Sequence, residues 1–220
     1  MRPLTQTTPK QLLRVCGKTL LEYVLEALPS EISEIIIVIG YKGEQIQKFL
    51  GARWHERPVR YVWQEKPEGT ARAISLAKDF LQDEKLFLAG YADDIHGPEG
   101  VAACVAQKHP CFMVSYISDP RRFGVIEMDP IGKIVSFEER PVNPKSNMIS
   151  SGFFVLPTDI FKYPVPPREN GEEYIPDRVA KMMKDGYEFY TERSTRWIPI
   201  GYPEDLQKAE ELLAEKKNAA

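Results

Sequence analysis

A chain of 220 residues with 43% hydrophobic content carries enough apolar material for one folded core. Its formal charge of -3 and pI near 5.8 exclude the basic excess that duplex nucleic acid or an anionic membrane surface requires, so any polyanion it binds is small. Cys16, Cys104 and Cys111 form no CxxC pair, and His55, His96 and His109 lie too far apart for a zinc pattern. There is no apolar run of membrane-spanning length and no signal-peptide pattern at the start, so a reducing cytoplasm is the expected setting.

The opening "MRPLTQTTPK" holds two prolines and no apolar run, and reads as a loop. Leu20, Leu21, Val24, Leu25 and Leu28 then recur at helical spacing. "EIIIVIG" from Glu34 is almost wholly apolar, which predicts a central strand buried on both faces. "VRYVWQ" from Val59 predicts the next strand, Ile74, Leu76, Ala77 and Leu81 a helix, and "KLFLAGY" from Lys85 a third strand. Alternation of this kind predicts a parallel sheet covered by helices.

From Cys111 the texture changes to consecutive strands, "CFMVSYI", "FGVIEMD", "KIVSFEER" and "SSGFFVLP", which predict an antiparallel or mixed sheet. The Pro-rich "YPVPPRENGEE" breaks this pattern and precedes a helix predicted over Pro176 to Lys184. The end reads strand, strand, helix, with Pro203, Glu204 and Asp205 suited to the last helix's start. No internal repeat and no hexapeptide array interrupts the run, so one α/β domain is expected.

In open α/β sheets ligands bind beyond the carboxyl ends of the strands. After the second strand comes "QEKPEGTARAI", in which Gly69 allows close backbone approach to a flat ring, Thr70 is placed to cap a helix, and the Gln64 amide offers a donor and an acceptor to a base edge. An ordinary capped strand-to-helix loop has the same composition. After the third comes "YADDI", whose paired carboxylates suit a magnesium ion bridging phosphates, although Asp is also a common turn residue. "FEERP" sets Glu139 beside Arg140: a carboxylate for sugar hydroxyls and a guanidinium for phosphate, or a solvated strand end.

These stretches occur in one order. "RPLTQTTPKQLLRVCGKTLLEYVLEAL", "QEKPEGTARAI", "YADDI", "FGVIEMDPIGKIVSFEERPVNPKSNMISSGFFVL" and "WIPIGYPEDLQKAEELL" together resemble the sugar-1-phosphate nucleotidylyltransferases from Arg2 to about Leu213. The resemblance implies a Rossmann-like mixed sheet flanked by helices, of the nucleotide-diphospho-sugar transferase type, in one nucleotidyl transferase domain over residues 1–220. It implies a reaction in which a sugar-phosphate oxygen attacks the α-phosphate of a nucleoside triphosphate and pyrophosphate leaves. By the same resemblance Lys10 matches the lysine that neutralises phosphate charge, Gln64, Gly69 and Thr70 the base-recognition segment, and Asp93 the aspartate that holds Mg²⁺, with Ala92 in place of the usual Gly. Gly124 and Glu139 match sugar-contacting positions, Arg140 replaces a lysine near the sugar phosphate, and Ser151 and Gly152 match the segment closing over the sugar. The implied partners are small molecules, with self-association or pairing with a homologue left open.

Two departures qualify the match. The family pattern carries a strand and a G-x-G-T-R loop before its "RPLT", so the resemblance implies a domain truncated at its N-terminus, either by a start assigned too late or by a true shortening. In "WIPIGYP" the usual aspartate two residues after the Trp is Pro199, which has neither charge nor N–H, so a magnesium site would lean on Asp94, water and phosphate. A non-catalytic nucleotide-sugar-binding paralogue or regulatory subunit is therefore the alternative to an enzyme. A metal-dependent glycosyltransferase is disfavoured because "ADDI" lacks a spaced Asp-x-Asp. UTP, dTTP and GTP all remain compatible with an amide reader.

Overall fold

The computed structural model describes residues 1–218. Helix α1 (Leu20–Glu26) begins with a reciprocal cap. The Glu22 N–H donates to the Thr19 hydroxyl at 3.1 Å and the Thr19 N–H donates to the Glu22 carboxylate at 2.7 Å, which satisfies two donors that a helix start leaves open. Strands β1 (Ile35–Ile39) and β2 (Arg57–Trp63) pair in parallel, with α2 (Gly43–Leu50) as the crossover. The first two predicted strands therefore pair as their alternation with helices implies.

The predicted helix through Leu81 is shorter than its apolar spacing suggests. It divides into α3 (Thr70–Ser75) and a separate 3-10 turn at Lys78–Phe80, with Ala71 and Ala77 buried. Strand β3 (Leu86–Gly90) also departs from expectation: it pairs antiparallel with Phe153–Pro157 and so belongs to the second sheet. Next come β4 (Ile95–His96) and α4 (Pro98–Ala106), whose Pro98 occupies the first turn, where its missing N–H costs nothing.

The second sheet holds β5 (Cys111–Tyr116), β6 (Gly124–Met128), β7 (Ile134–Glu139), β8 (Met148–Pro157) and β9 (Tyr190–Arg193). Its order is β7-β6-β8-β5-β9, with β3 also on β8, and only the β5–β9 pair is parallel. Helix α5 (Ile175–Lys184) lies over it, burying Ile175, Val179 and Met182 among Phe112, Phe154 and Phe189. The short β10 (Trp197–Ile198) pairs antiparallel with β4, and α6 (Pro203–Asn218) closes the described chain. This half matches the mixed sheet and the helix boundaries expected from the sequence.

Among the described residues β1 is paired on one side only, by β2, and β3 on one side only, by β8. That corrects the expectation of a central strand: Ile35 and Ile39 are buried, but Ile36, Ile37 and Val38 are only half-buried, because no strand covers the free edge. Helix α1 joins the two sheets. Leu21 and Leu25 pack with Ile35 and Ile39, while Val24 and Ala27 pack with Phe153, Val155 and the flank of Leu86 and Leu88. Each buried leucine or valine contributes roughly 1.5 to 3 kcal/mol, so one short helix couples the two halves strongly. No helix among the described residues is long and apolar enough to cross a membrane.

Candidate active site

Lys10 stands on a 3-10 turn directly after Pro9 and donates through Nζ to Asp93 at 2.7 Å, with Asp94 at 3.9 Å. The turn brings an N-terminal cation to the end of β3 across 83 positions of sequence. Asp94 has other partners. Its carboxylate accepts from the Trp197 indole N–H at 2.9 Å and from the Ile200 N–H at 2.9 Å, so it anchors the turn that follows β10. Burial, then the adjacent Asp93 charge, pushes the Asp94 carboxyl up to about 6.

Both Asp94 oxygens thus accept protein hydrogen bonds, which leaves Asp93 as the carboxylate of the pair that faces Lys10. Pro199 sits between the two residues that Asp94 anchors and adds no carboxylate. Among the described residues no group of three or more His, Cys, Asp or Glu side chains is arranged to hold a metal ion. Asp93 is therefore the one carboxylate set to hold a phosphate-bound cation, as Mg²⁺ takes one or two carboxylates and completes its shell with water and phosphate oxygen.

Beyond the carboxyl ends of β1 and β2 lies a cleft of about 1150 Å³, lined by Gln6, Lys10, Val38, Gly40, Gln64 and Pro67 among others. The Gln64 Nε2 is buried there without a hydrogen-bond partner. An unsatisfied buried donor costs about 1 to 3 kcal/mol, a cost relieved by any ligand acceptor that reaches it. Gly69 and Thr70, in contrast, take up structural contacts. Gly69 has φ +93, and a Cβ on it would lie 2.3 Å from the Glu173 carbonyl oxygen. The Glu173 backbone is bonded on both sides of this point, donating to Glu68 O at 2.8 Å and accepting from Ala71 N–H at 3.0 Å. The open face of Gly69 is thus filled by the chain before α5, not held for a flat ring. Thr70 is the first residue of α3, not its cap, and its hydroxyl accepts from the Ile175 N–H at 3.2 Å.

A second group gathers where β7 ends. Glu139 is largely buried, and its carboxylate lies 3.3 Å from the Arg140 Nε. Desolvation raises the Glu139 carboxyl, and the Arg140 and Arg168 charges oppose the rise. Gly124 sits opposite Glu139 in the β6–β7 register, and a Cβ there would meet the Phe137 ring at 2.8 Å and the Glu139 carboxylate at 3.3 Å. Arg168 donates to the Glu139 carbonyl at 3.1 Å and is held by Asp177 at 2.9 Å. The Arg140 and Arg168 guanidinium groups both lie over the Tyr174 ring, 5.8 and 5.3 Å from its centre. Ser151 is buried with its Oγ unpartnered, and Gly152, at φ +103, passes beneath the Tyr91 ring.

A family model described as nucleotidyl transferase matches residues 1–216. The chain belongs to the nucleotidyl transferase family. Its relatives include the bifunctional protein GlmU of Methanocaldococcus jannaschii, 28% identical over 220 residues, 99% of this chain but 52% of that protein. They also include the UTP--glucose-1-phosphate uridylyltransferase AglF of Haloferax volcanii, 28% identical across 100% of this chain and 94% of its own length. The chain thus spans about half the length of GlmU and nearly the whole of AglF. Among solved structures, a Bacillus anthracis protein described as a glucose-1-phosphate thymidylyltransferase superposes with a TM-score of 0.83 at 26% identity, over 96% of this chain and 89% of that one.

In this member of the nucleotidyl transferase family the residues singled out from sequence fall into two clusters. Lys10 and Gln64 line the cleft beyond β1 and β2, and Lys10 touches Asp93; Gly124, Glu139 and Arg140 form the other cluster with Ser151 and Gly152 on the neighbouring β8. Two neighbours of the second cluster were not legible in advance. Arg168 lies in the Pro-rich stretch, which signals only a break in regular structure, and its approach to Glu139 depends on the α5 docking. Tyr91 was visible inside "YADDI", but nothing in its spacing indicated that its ring would turn toward Glu139 and Gly152.

Proposed function

We propose that this chain joins a nucleoside triphosphate to a sugar 1-phosphate, releasing pyrophosphate. A phosphate oxygen of the sugar 1-phosphate attacks the α-phosphorus, the bond from that phosphorus to the oxygen bridging toward the β-phosphate breaks, and that oxygen leaves on pyrophosphate. Such chemistry needs in-line placement and charge neutralisation more than a covalent nucleophile. The observation that carries the proposal is the placement of Lys10, which lines the cleft that holds the unpartnered Gln64 amide and also contacts Asp93 at the end of β3. In this reading Gln64 takes the base edge, Gly69 and Thr70 shape that segment, and Lys10 moves charge from Asp93 onto the triphosphate. Glu139 and Gly124 receive the sugar, Arg140 and Arg168 hold its phosphate, and Ser151 and Gly152 close over it. Charge neutralisation is assigned to these cations, and no step is assigned to Mg²⁺. The proposed setting is the cytoplasm.

A second reading, a nucleotide-sugar-binding subunit without turnover, is favoured by one observation: Asp94 is committed to Trp197 and Ile200 around a proline. Pyrophosphate release from UTP, dTTP or GTP with glucose 1-phosphate or mannose 1-phosphate, measured on the full-length protein, separates the two. Turnover supports the enzyme. Binding of a nucleotide sugar without turnover supports the subunit, and neither binding nor turnover overturns both. Glu139→Ala is expected to weaken nucleotide-sugar binding roughly 10- to 100-fold, the equivalent of about 1.5 to 3 kcal/mol for a charged hydrogen bond, while the thermal midpoint stays near that of the wild type. Unchanged affinity would reduce "FEERP" to a solvated strand end.

A further inference from the structure

We propose that Tyr174 is a positioning residue for the sugar phosphate, its buried ring carrying the Arg140 and Arg168 guanidinium groups side by side so that both meet one phosphate. This role rests on the function proposed above and adds the residue that holds its two phosphate-binding cations in place.

The ring is fixed at both ends. Tyr174 is 4% exposed and stands directly before α5, and the residues on either side of it are bonded to the segment around Thr70. The Glu173 N–H donates to the Glu68 carbonyl at 2.8 Å, and the Ile175 N–H donates to the Thr70 hydroxyl at 3.2 Å. At the far end of the side chain, the Tyr174 hydroxyl accepts from the Asn170 amide at 2.7 Å and donates to the Glu172 carboxylate. A ring held at its backbone and its hydroxyl cannot follow a moving guanidinium, so it selects the place where a guanidinium rests.

The two arginines reach that place from different parts of the chain. Arg140 ends β7 with φ +47, a left-handed backbone that non-glycine residues seldom adopt, and its N–H donates to the Phe123 carbonyl at 3.0 Å. Arg168 comes from the Pro-rich loop. Their guanidinium groups lie 5.8 and 5.3 Å from the centre of the one ring, and both also touch Glu139, Arg140 Nε at 3.3 Å from its carboxylate and Arg168 at 3.1 Å from its carbonyl. Sharing a ring and a residue puts the cations next to each other. Like charges repel in such an arrangement, and the negative face of an aromatic ring offsets part of that repulsion while keeping each planar group in one orientation. Among the described residues Asp177 takes two of the five Arg168 N–H donors and the Glu139 carbonyl a third, which leaves two unbonded. The Arg140 side chain is 59% exposed. Unused donors on two neighbouring planar cations match the oxygens of one phosphate, and a lysine would bring the charge without lying flat on the ring.

The test measures the affinity of the full-length protein for UDP-glucose, dTDP-glucose and GDP-mannose, and for UTP, dTTP and GTP. Tyr174→Leu removes the ring, and Tyr174→Phe keeps it while losing the hydroxyl. Tyr174→Leu is expected to bind the preferred nucleotide sugar about 10-fold more weakly and Tyr174→Phe to stay within about threefold of the wild type, with triphosphate affinity within about twofold in each. Because the ring acts through the two arginines, adding Tyr174→Leu to the double variant Arg140→Met/Arg168→Met should cost less than about twofold, whereas a residue that merely supports the fold adds its whole effect. Unfolding midpoints report whether the variants fold. If Tyr174→Leu does not, Arg168→Lys carries the test with the ring intact: it keeps the charge and is expected to lose about fivefold, and affinity equal to the wild type would overturn the role. The role is also overturned by unchanged affinity in Tyr174→Leu, by a matching loss toward the triphosphate, by an additive effect in the triple variant, or by a loss in Tyr174→Phe as large as that in Tyr174→Leu. A wild type that binds no nucleotide sugar removes the parent function and this role together; a wild type that binds while Tyr174→Leu matches it removes this role alone.

Discussion

Arg178→Ala should destabilise the protein by about 3 to 5 kcal/mol and should loosen the candidate site with it. Arg178 is 4% exposed and sits on the inner face of α5. Its guanidinium donates to the Glu173 carboxylate at 2.9 Å and to the Ser75 hydroxyl at 2.7 Å, and Ser75 in turn donates to the Ala71 carbonyl at 2.8 Å. Arg178 is buried and Glu173 only partly so, and removing the guanidinium leaves both this carboxylate and the Ser75 hydroxyl without their donor, so the cost exceeds that of a surface pair. Glu173 is also the residue whose backbone is bonded to Glu68 and Ala71 around Gly69. Loss of Arg178 therefore frees the segment that carries Thr70 and the loop that carries Arg168. For a chain of this size the midpoint should fall by roughly 6 to 20 °C, and nucleotide-sugar affinity should fall with it. The double variant Arg178→Met/Glu173→Leu should regain most of the stability, because well-packed apolar side chains replace a buried pair at little cost. A single variant that melts within about 2 °C of the wild type would show that the pair does not hold the two segments together.

The second large effect is a pH dependence centred on His96. This residue is 2% exposed, packs edge to face against Phe153 at 4.8 Å, and has no hydrogen-bond partner on either ring nitrogen. Desolvation alone lowers its pKa to about 4 from an ordinary value near 6.5. Because the folded pKa lies below the unfolded one, the unfolded chain binds more protons between these values. Stability therefore falls as pH drops from about 6.5 to about 4 and is not reduced further below that by this residue. The full loss from His96 is about 3 kcal/mol, since one pKa unit corresponds to about 1.4 kcal/mol. His96→Leu should remove this contribution. Urea unfolding at pH 7.5, 5.5 and 4.5 should show the wild type losing about 2 to 3 kcal/mol more than the variant across that range. Parallel pH profiles for the two proteins would mean that the ring is hydrated or partnered in solution.

Local chemistry determined much of this protein before any coordinates. Apolar residues at helical spacing placed α1, and Pro203 with Glu204 and Asp205 marked the start of α6, because such signals act within a few residues. Alternation with a helix paired β1 with β2, and turn residues such as those of "DPIGK" joined β6 to β7. Motif order, through the family resemblance it carries, pointed to Lys10, Asp93 and Glu139. What only the tertiary structure decided is which neighbour each group meets. Apolar "EIIIVIG" predicts burial, yet burial on a free edge depends on a strand pairing that the segment itself does not encode. Asp94 looked as available as Asp93 until the turn after β10 came to it across 103 and 106 positions of sequence. Gly69 looked open to a ligand until the backbone before α5 filled its missing Cβ. Hydrogen bonds and packing act over a few ångströms of space, so spacing along the chain fixes local form, while partners far apart in sequence are chosen only when the sheets and helices close on one another.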